Sequence, residues 1–407
     1  MKCCILGRQP EIGLFELETL YGAERVQLFG GGCALVDADI DFARLGGSVK
    51  VADVVATTTL SAAFRTIQKL LPQLTRTMPA EGKIKLGLSA YGFDVTPYQL
   101  GGEALRLKKQ LRSSGRSVRV VPNDSPALSS AQTYHNALTS DLGLEFVIAA
   151  SGDKVVIGRV TDVQHIDSYR IRDRDRPKRD AFVGMLPPKL AQVLVNLAVG
   201  EEKISGPADQ EIERKEDFTV FDPFCGTGVV LQEAALMGYS VIGSDISPKM
   251  IDYATTNLEW LQANYHLQPI LHNLEVADAT TYTWPFLRSS DLAISRSCLV
   301  VASEVYLGQP LGGQHPTEEK IRSIVHDTNQ IARGFLANLA PQLAPGTRLC
   351  LALPAWYVDG HDYHLPLLED LDQLGYTQHQ PAHTKKPVVY RREDQITARE
   401  IVVLVVK

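Results

Sequence analysis

Asp222-Pro223-Phe224-Cys225-Gly226-Thr227-Gly228 stands between two apolar runs, and its reading decides the fold. Upstream, Phe218-Thr219-Val220-Phe221 has the β-branched and aromatic content of a buried strand. Downstream, Val229 to Met237 carries apolar residues at helical spacing. A strand, a glycine turn and a helix start together make a ligand cradle. Glycine lets backbone approach a ligand closely, and the free N–H groups of a helix start favour an anionic group.

The next strand tells what kind of ligand. Tyr239-Ser240-Val241-Ile242-Gly243-Ser244-Asp245 is short, apolar and ends in an acid, and an acid at that place accepts hydrogen bonds from ribose hydroxyls. The pair reads as a nucleoside site. The dinucleotide pattern G-x-G-x-x-G/A is incomplete here, because Leu231 occupies the third small position, and no Gly-Lys-Ser/Thr follows to make a phosphate loop. S-adenosyl-L-methionine is the surviving candidate. Its amino-acid end would sit by Asp222 and the turn Phe224 to Gly228, while Asp245 and Ile246 flank the ribose. A third strand edge, Leu274 to Thr280, brings Asp278 and Ala279, and Asp278 can accept from an adenine amino group.

The bulk properties bound the class. The chain has 407 residues, 44% hydrophobic and 22% charged, which is ordinary for a soluble globular protein of two or three domains. Its six cysteines, at 3, 4, 33, 225, 298 and 350, form no C-x-x-C, so neither a zinc site nor a disulfide framework is expected. The histidines at 165, 272, 315, 361, 364 and 383 show no ligand spacing, and no metal is expected. The N-terminus lacks the apolar core of a signal peptide, and no run is long enough to span a bilayer. A cytoplasmic protein with no membrane segment is the expectation.

The net charge of −6 argues against a nucleic-acid partner, but its distribution argues for one. Residues 61–120 hold eleven Lys/Arg against three acids. Such a face can neutralise phosphates without reading sequence, or it can be a solvated helix surface.

Alternating strand and helix patterns divide the chain. Residues 1–60 read as a small α/β unit, with strands at Lys2 to Leu6, Ala34 to Val36 and Val51 to Leu60. Residues 61–162 continue with Ile84 to Tyr91, a helix near Glu103 to Ser113, a strand at Ser117 to Val121, a helix near Ser129 to Leu138, and strands at Glu145 to Ala149 and Lys154 to Val160. A linker, 163–180, contains Arg170 to Asp180 with six basic and three acidic residues, and reads as a solvated tether or a phosphate contact. From 181 to 407 the pattern predicts an α/β domain with a mostly parallel sheet, strands at 218–221, 240–244, 270–276, 298–302 and 347–353, and a closing hairpin from Pro387 to Val406 turning at Glu393-Asp394.

At this point the residues carry a resemblance. Asp222 to Gly228, continued through Glu233 to Gly238 and Gly243-Ser244-Asp245-Ile246, resembles the cofactor half of the THUMP-domain RNA guanosine-N2 methyltransferases, and is most similar in pattern to the archaeal and eukaryotic enzymes acting on tRNA guanosine 10. Leu186 to Ala198, Tyr390 and Ala398-Arg399-Glu400-Ile401 extend the likeness. The resemblance implies a class I, Rossmann-like methyltransferase domain with a seven-stranded sheet, preceded by ferredoxin-like and THUMP modules. It also implies structured RNA, in particular tRNA, as the partner.

The family places Asp/Asn-Pro-Pro-Tyr/Phe after its fourth strand, to accept protons from the amine and stack the base. Here that place reads Ala302-Ser303-Glu304-Val305-Tyr306. Ser303 matches the family's acid by position, Glu304 by chemistry, and Tyr306 keeps the aromatic platform. The neighbouring Gly308-Gln309-Pro310-Leu311-Gly312-Gly313 reads as a mobile substrate loop or a turn. The changed motif leaves several readings standing beside the tRNA enzyme. They are a methyltransferase for ribosomal RNA or DNA amino groups, and an inactive RNA-binding protein that assists a partner. The sequence names neither the modified position nor any activating protein subunit.

Overall fold

The computed structural model describes residues 1–180, 186–201, 218–267, 272–288, 299–311, 316–392 and 395–407. It divides into two compact units, Met1–Arg170 and Ile171–Lys407. Among the described residues no helix is long and apolar enough to cross a membrane.

The first unit runs β1 (Lys2–Leu6), α1 (Pro10–Tyr21), β2 (Val26–Phe29), β3 (Cys33–Val36), β4 (Ser48–Thr59), α2 (Ala63–Arg76), β5 (Lys83–Tyr91), α3 (Pro97–Ser113), β6 (Ser117–Val120), α4 (Ser130–His135), β7 (Gly143–Ser151), β8 (Lys154–Val163) and α5 (Ile166–Arg170). Its eight strands form one sheet in the order β2-β3-β1-β4-β8-β7-β5-β6. The expected division at residue 60 therefore falls within a continuous sheet. β4 pairs β1 along one edge, Lys2 opposite Asp53, and β8 along the other, Thr59 opposite Lys154. Twelve residues of extended chain are long enough to serve both neighbours.

A buried polar network ties these strands together. Lys50 Nζ on β4 donates to Glu145 Oε1 on β7 at 2.6 Å and to the Leu128 carbonyl at 2.7 Å, while Ser89 and Thr133 hydroxyls donate to the same carboxylate at 2.6 Å. The ammonium makes two hydrogen bonds and the carboxylate accepts three, which is what makes their burial tolerable.

Helix α2 was not expected, although Ala63, Ile67, Leu71 and Thr75 are buried at four-residue spacing. Pro72 hides the pattern, since it removes an N–H that would bond the Gln68 carbonyl. The Gln110 side chain of α3 donates to that carbonyl instead, at 2.8 Å. α3 begins six residues earlier than expected, at a capping box in which Thr96 and Gln99 satisfy each other's backbone N–H.

The second unit opens on a π-turn (Ile171–Asp175) and continues α6 (Pro188–Val199), β9 (Thr219–Asp222), α7 (Val229–Leu236), β10 (Ser240–Asp245), α8 (Pro248–Tyr265), β11 (His272–Val276), α9 (Pro285–Arg288), β12 (Leu299–Glu304), α10 (Glu318–Leu339), β13 (Arg348–Val358), β14 (His361–Tyr363), β15 (Tyr376–His379), β16 (Val389–Tyr390) and β17 (Thr397–Val406). The main sheet is ordered β11-β10-β9-β12-β13-β17-β15. β9 to β13 run parallel, and β17 is antiparallel to both its neighbours. The seven strands thus form a mixed α/β sheet. β17 pairs β13 over nine residues but β16 over only two, so the expected closing hairpin is a minor part of the sheet's edge. Its turn at Glu393-Asp394 lies outside the described residues.

Period-two alternation puts apolar groups on both faces of this sheet. Val402 and Leu404 of β17 join Phe221, Val301, Leu351 and the α10 residues Phe335 and Leu336 in one core. Ile401 and Val403, equally buried, face the side where α6 packs.

The linker is not a solvated tether. Arg172 is buried and grips buried Glu233 of α7 with two hydrogen bonds, 2.7 Å and 3.1 Å, and Arg176 is also buried. Lys178 exchanges both backbone hydrogen bonds with the Asn257 side chain of α8, each at 3.0 Å. The Arg172–Glu233 pair and the Asn257 contacts, which composition does not reveal, hold so polar a strap against the unit, although the buried Arg176 guanidinium has no hydrogen-bond partner among the described residues.

Candidate functional site

β9 ends at Asp222, and the chain then turns through Phe224 to Gly228 into α7. Cys225 N–H donates to the Ser244 carbonyl at 2.9 Å and Gly228 N–H to the Cys225 carbonyl at 2.7 Å, which anchors the turn on β10. Gly226 has φ +51 and Gly228 φ +80, both in the left-handed region that side chains disfavour. A Cβ on Gly228 would also sit 3.2 Å from the Ala254 side chain of α8, whereas the nearest atom to one on Gly226 is 4.0 Å away. One glycine packs the turn, and the other leaves space.

That space belongs to a cavity of about 750 Å³ at the carboxyl ends of β9, β10, β11 and β12. Such a position is where open α/β sheets bind ligands, and such a volume suits a nucleoside-sized one. Asp222, Phe224, Cys225, Gly226 and Thr227 line it, as do Asp245 at the end of β10, Ile246 just beyond it, and Asp278 and Ala279 after β11. Gly228 is behind the wall, and Val229 and Val230 bring the first turn of α7 to it. These helix N–H groups have no intrahelical partner.

The acids differ in setting. Asp222 is buried, and its Oδ1 accepts from Phe224 N–H at 3.1 Å and from Ser303 Oγ at 2.6 Å. Burial pushes its carboxyl up to about 7, with Asp245 and Glu304 adding to the rise and the two hydrogen bonds opposing it. Asp245 accepts from Gly226 N–H at 3.0 Å and Ser247 N–H at 2.9 Å, and burial raises its carboxyl as well. Asp278 is held by Thr280, whose N–H and Oγ donate to Oδ1 at 2.9 Å and 2.7 Å. Ile246, 68% exposed, adds an apolar wall beside Asp245.

On the other side of the cavity stand Glu304 and Tyr306. Glu304 Oε1 accepts from Arg399 Nε of β17 at 2.5 Å, and burial raises its carboxyl while the guanidinium pulls it back. Tyr306 is 41% exposed. Ser303 does not reach the cavity: it is wholly buried, with its hydroxyl spent on Asp222. The loop that follows is anchored at its start, since Gly308, φ +87, lies so close to Ile324 of α10 that a Cβ would meet it at 2.8 Å. Gly312 and Gly313 lie outside the described residues.

Several wall or support residues escaped the sequence reading. Asp180 and Lys249 line the cavity and pair at 2.7 Å. Asn257 ties the strap to the turn by donating to the Thr227 carbonyl at 2.9 Å. Arg399 supports Glu304 from behind. The last two had a legible signal, a polar residue at a buried position of an apolar helix or strand.

The donor set fits S-adenosylmethionine: three separated carboxylates, a glycine turn open to the cavity and a helix start. Residues 220–306 match the sequence profile of a family described as a methyltransferase domain. A stretch of 86 residues is 40% identical to a tRNA (guanine(10)-N2)-dimethyltransferase of Methanothermobacter thermautotrophicus, covering 21% of each chain. Another, of 91 residues, is 37% identical to the enzyme of that name from Methanocaldococcus jannaschii, covering 22% of each. The Pyrococcus abyssi enzyme of the same name is 35% identical over 95 residues, 23% of this chain and 22% of its own. The chain thus spans about a fifth of the length of the curated relatives it matches. Among solved structures, one titled a possible methylase from Clostridium difficile 630 aligns with 99% of this chain and 97% of its own, at 14% identity and a TM-score of 0.47. The segment that builds the turn, the three acids and the Glu304 wall is therefore similar to the methyltransferase-domain family, and a stretch of the chain's C-terminal part is similar to enzymes named for tRNA guanosine-N2 dimethylation.

Proposed function

We propose that this protein is an S-adenosyl-L-methionine-dependent RNA methyltransferase acting on the exocyclic N2 amine of a guanosine in tRNA. The observation that carries the reading is the cavity at the carboxyl ends of β9 to β12, walled by Asp222, Asp245 and Asp278 on one side and by Glu304 and Tyr306 on the other. The names of the relatives that match a stretch of the C-terminal part support the choice of amine and RNA.

In this reading Asp245 accepts from the ribose hydroxyls, Asp278 from the adenine amine, and Ile246 covers the base. Asp222 and the unpartnered N–H groups in the first turn of α7 hold the amino-acid end. The bound donor supplies an electrophilic methyl group on a sulfonium. Tyr306 stacks the target guanine, and Glu304 accepts the proton that the amine sheds as it takes the methyl group. The amine is a weak nucleophile because its lone pair is delocalised into the ring, so alignment and proton removal are what the protein contributes. Ser303 acts indirectly, fixing the Asp222 carboxylate.

For the first unit, the reading is an RNA-docking element in which ferredoxin-like and THUMP parts, expected at 1–60 and 61–162, share one continuous sheet. Arg65, Lys69 and Arg76 of α2 and Arg106, Lys109 and Arg112 of α3 are exposed, as is Tyr98 at 90%. Arg116 serves the fold instead, donating to the Pro79 carbonyl at 2.5 Å. A cytoplasmic location follows from the tRNA substrate.

The test is transfer of labelled methyl from S-adenosylmethionine to total tRNA, followed by nucleoside mass spectrometry. N2-methylated guanosine is the expected product. Donor binding without transfer to tRNA, ribosomal RNA or DNA would favour a non-catalytic RNA-binding protein, a reading that the engagement of Ser303 with Asp222 keeps in view.

A further inference from the structure

β17 is apolar and buried from Ile401 to Leu404, yet it carries Arg399, 6% exposed, in its opening turn of strand. A guanidinium there needs a reason. Its Nε donates to Glu304 Oε1 at 2.5 Å across 95 residues of sequence. The sheet register makes the approach possible: Arg399 lies opposite Pro354 of β13, and Glu304 lies opposite Ala352, two residues away on the same face. Arg399 is not part of the cavity wall, whereas Glu304 is.

The surroundings of Glu304 are otherwise hostile to its charge. From β9 it feels Asp222, itself a buried acid. β13 presents Ala352 and Pro354, which carry no charge, and the following loop presents Tyr306. Asp245 and Asp278 stand farther along the wall, and Lys249 there is already paired with Asp180. Burial favours the protonated acid, and Arg399 opposes it.

We propose that Arg399 is a positioning residue for Glu304, keeping its carboxylate charged and aimed into the cavity so that it can take the proton from the substrate amine. The proposal rests on the methyl-transfer reading for its chemistry, but the pairing itself has a readout that does not depend on transfer. In wild-type protein and in Arg399→Gln, the Glu304 carboxyl is titrated by NMR of carboxyl-labelled glutamate, assigned by the signal lost in Glu304→Gln. Arg399→Gln is expected to raise the Glu304 midpoint by about 1 to 3 pH units, the usual effect of losing an adjacent opposite charge. The acid limb of the single-turnover transfer rate should move by the same amount, with donor affinity within about twofold of wild type, and Arg399→Lys should restore most of the shift. An unmoved midpoint overturns the proposal, whether or not the protein transfers methyl groups. So does a rate that falls equally at every pH. If Arg399→Gln does not fold, Glu304→Gln is compared with the Glu304→Gln/Arg399→Gln pair, which leaves no lone buried charge. Equal residual rates support action through Glu304, and a further tenfold loss overturns it.

Discussion

The two ends of the cavity are built on different principles. At the donor end the decisive contacts are local or between adjacent parallel strands: Asp222 to Phe224, Asp245 to Ser247 and Gly226, Asp278 to Thr280. At the acceptor end the contact that holds Glu304 reaches past β13 to Arg399, 95 residues away, while Ser303 ties β12 to the donor end through Asp222 of the adjacent β9, 81 residues away. The donor end is a motif that any open parallel sheet can carry, whereas the acceptor end exists only once β12, β13 and β17 are in register. Donor chemistry and acceptor chemistry should therefore fail separately when mutated.

The largest expected separation comes from the acids. Asp245→Ala loses its two N–H partners and the ribose contacts, and should weaken S-adenosylhomocysteine binding by about 100-fold in calorimetry, since hydrogen bonds to a charged group contribute about 1.5–3 kcal/mol each. Glu304→Gln should do the reverse, leaving that affinity within about twofold while slowing single-turnover transfer by about 100-fold, a typical general-base contribution. A Glu304→Gln protein with full activity would break the comparison.

The pH dependence of donor binding sharpens it. The carboxyl of Asp222 titrates at about 7, and a ligand ammonium favours its charged form. Affinity should therefore fall as pH drops from 7.5 to 5.5, by up to about tenfold per unit below the midpoint. Asp222→Asn should flatten the profile. Because the folded acid binds its proton more tightly than the unfolded one, wild-type stability is lost as pH rises from about 4 through about 7, and Asp222→Asn should melt higher than wild type at pH 8. A melting point unchanged at pH 8 would show that the buried acid is not held as described.

Smaller effects probe the scaffold of each end. Gly228→Ala places a side chain at φ +80 against Ala254 and should cost about 1–3 kcal/mol in denaturant unfolding, weakening donor binding with it. Ser303→Ala removes one hydrogen bond, about 1 kcal/mol, and should raise the Asp222 midpoint while leaving the RNA KM unchanged. If Ser303→Ala instead weakened RNA binding alone, Ser303 would belong to the acceptor end after all.

Legibility follows the same line. The glycine turn, the strand before it, and the acids at 245 and 278 could be placed from sequence because each depends on residues a few positions away. Ser303 was assigned to the substrate by its position in a motif, but its neighbour across the sheet is Asp222. The strap 170–180 looked solvated because a run of alternating charges gives no hint of Glu233 and Asn257, on helices far along the chain. Pro72 concealed α2, and the compensating contact, from Gln110 to the Gln68 carbonyl, spans 42 residues of sequence. The division at residue 60 falls inside one sheet for a similar reason: strand patterns give alternation but not partners, and β4 has one on each side.

What the sequence determined by itself was the glycine-turn side of the cavity, because hydrophobic period, glycine conformation and an acid at a strand tip are properties of short segments. What only the tertiary structure decided was which polar groups meet. The spending of Ser303 on Asp222 and the grip of Arg399 on Glu304 depend on strand order and register, which are set by packing of the whole sheet rather than by any segment within it.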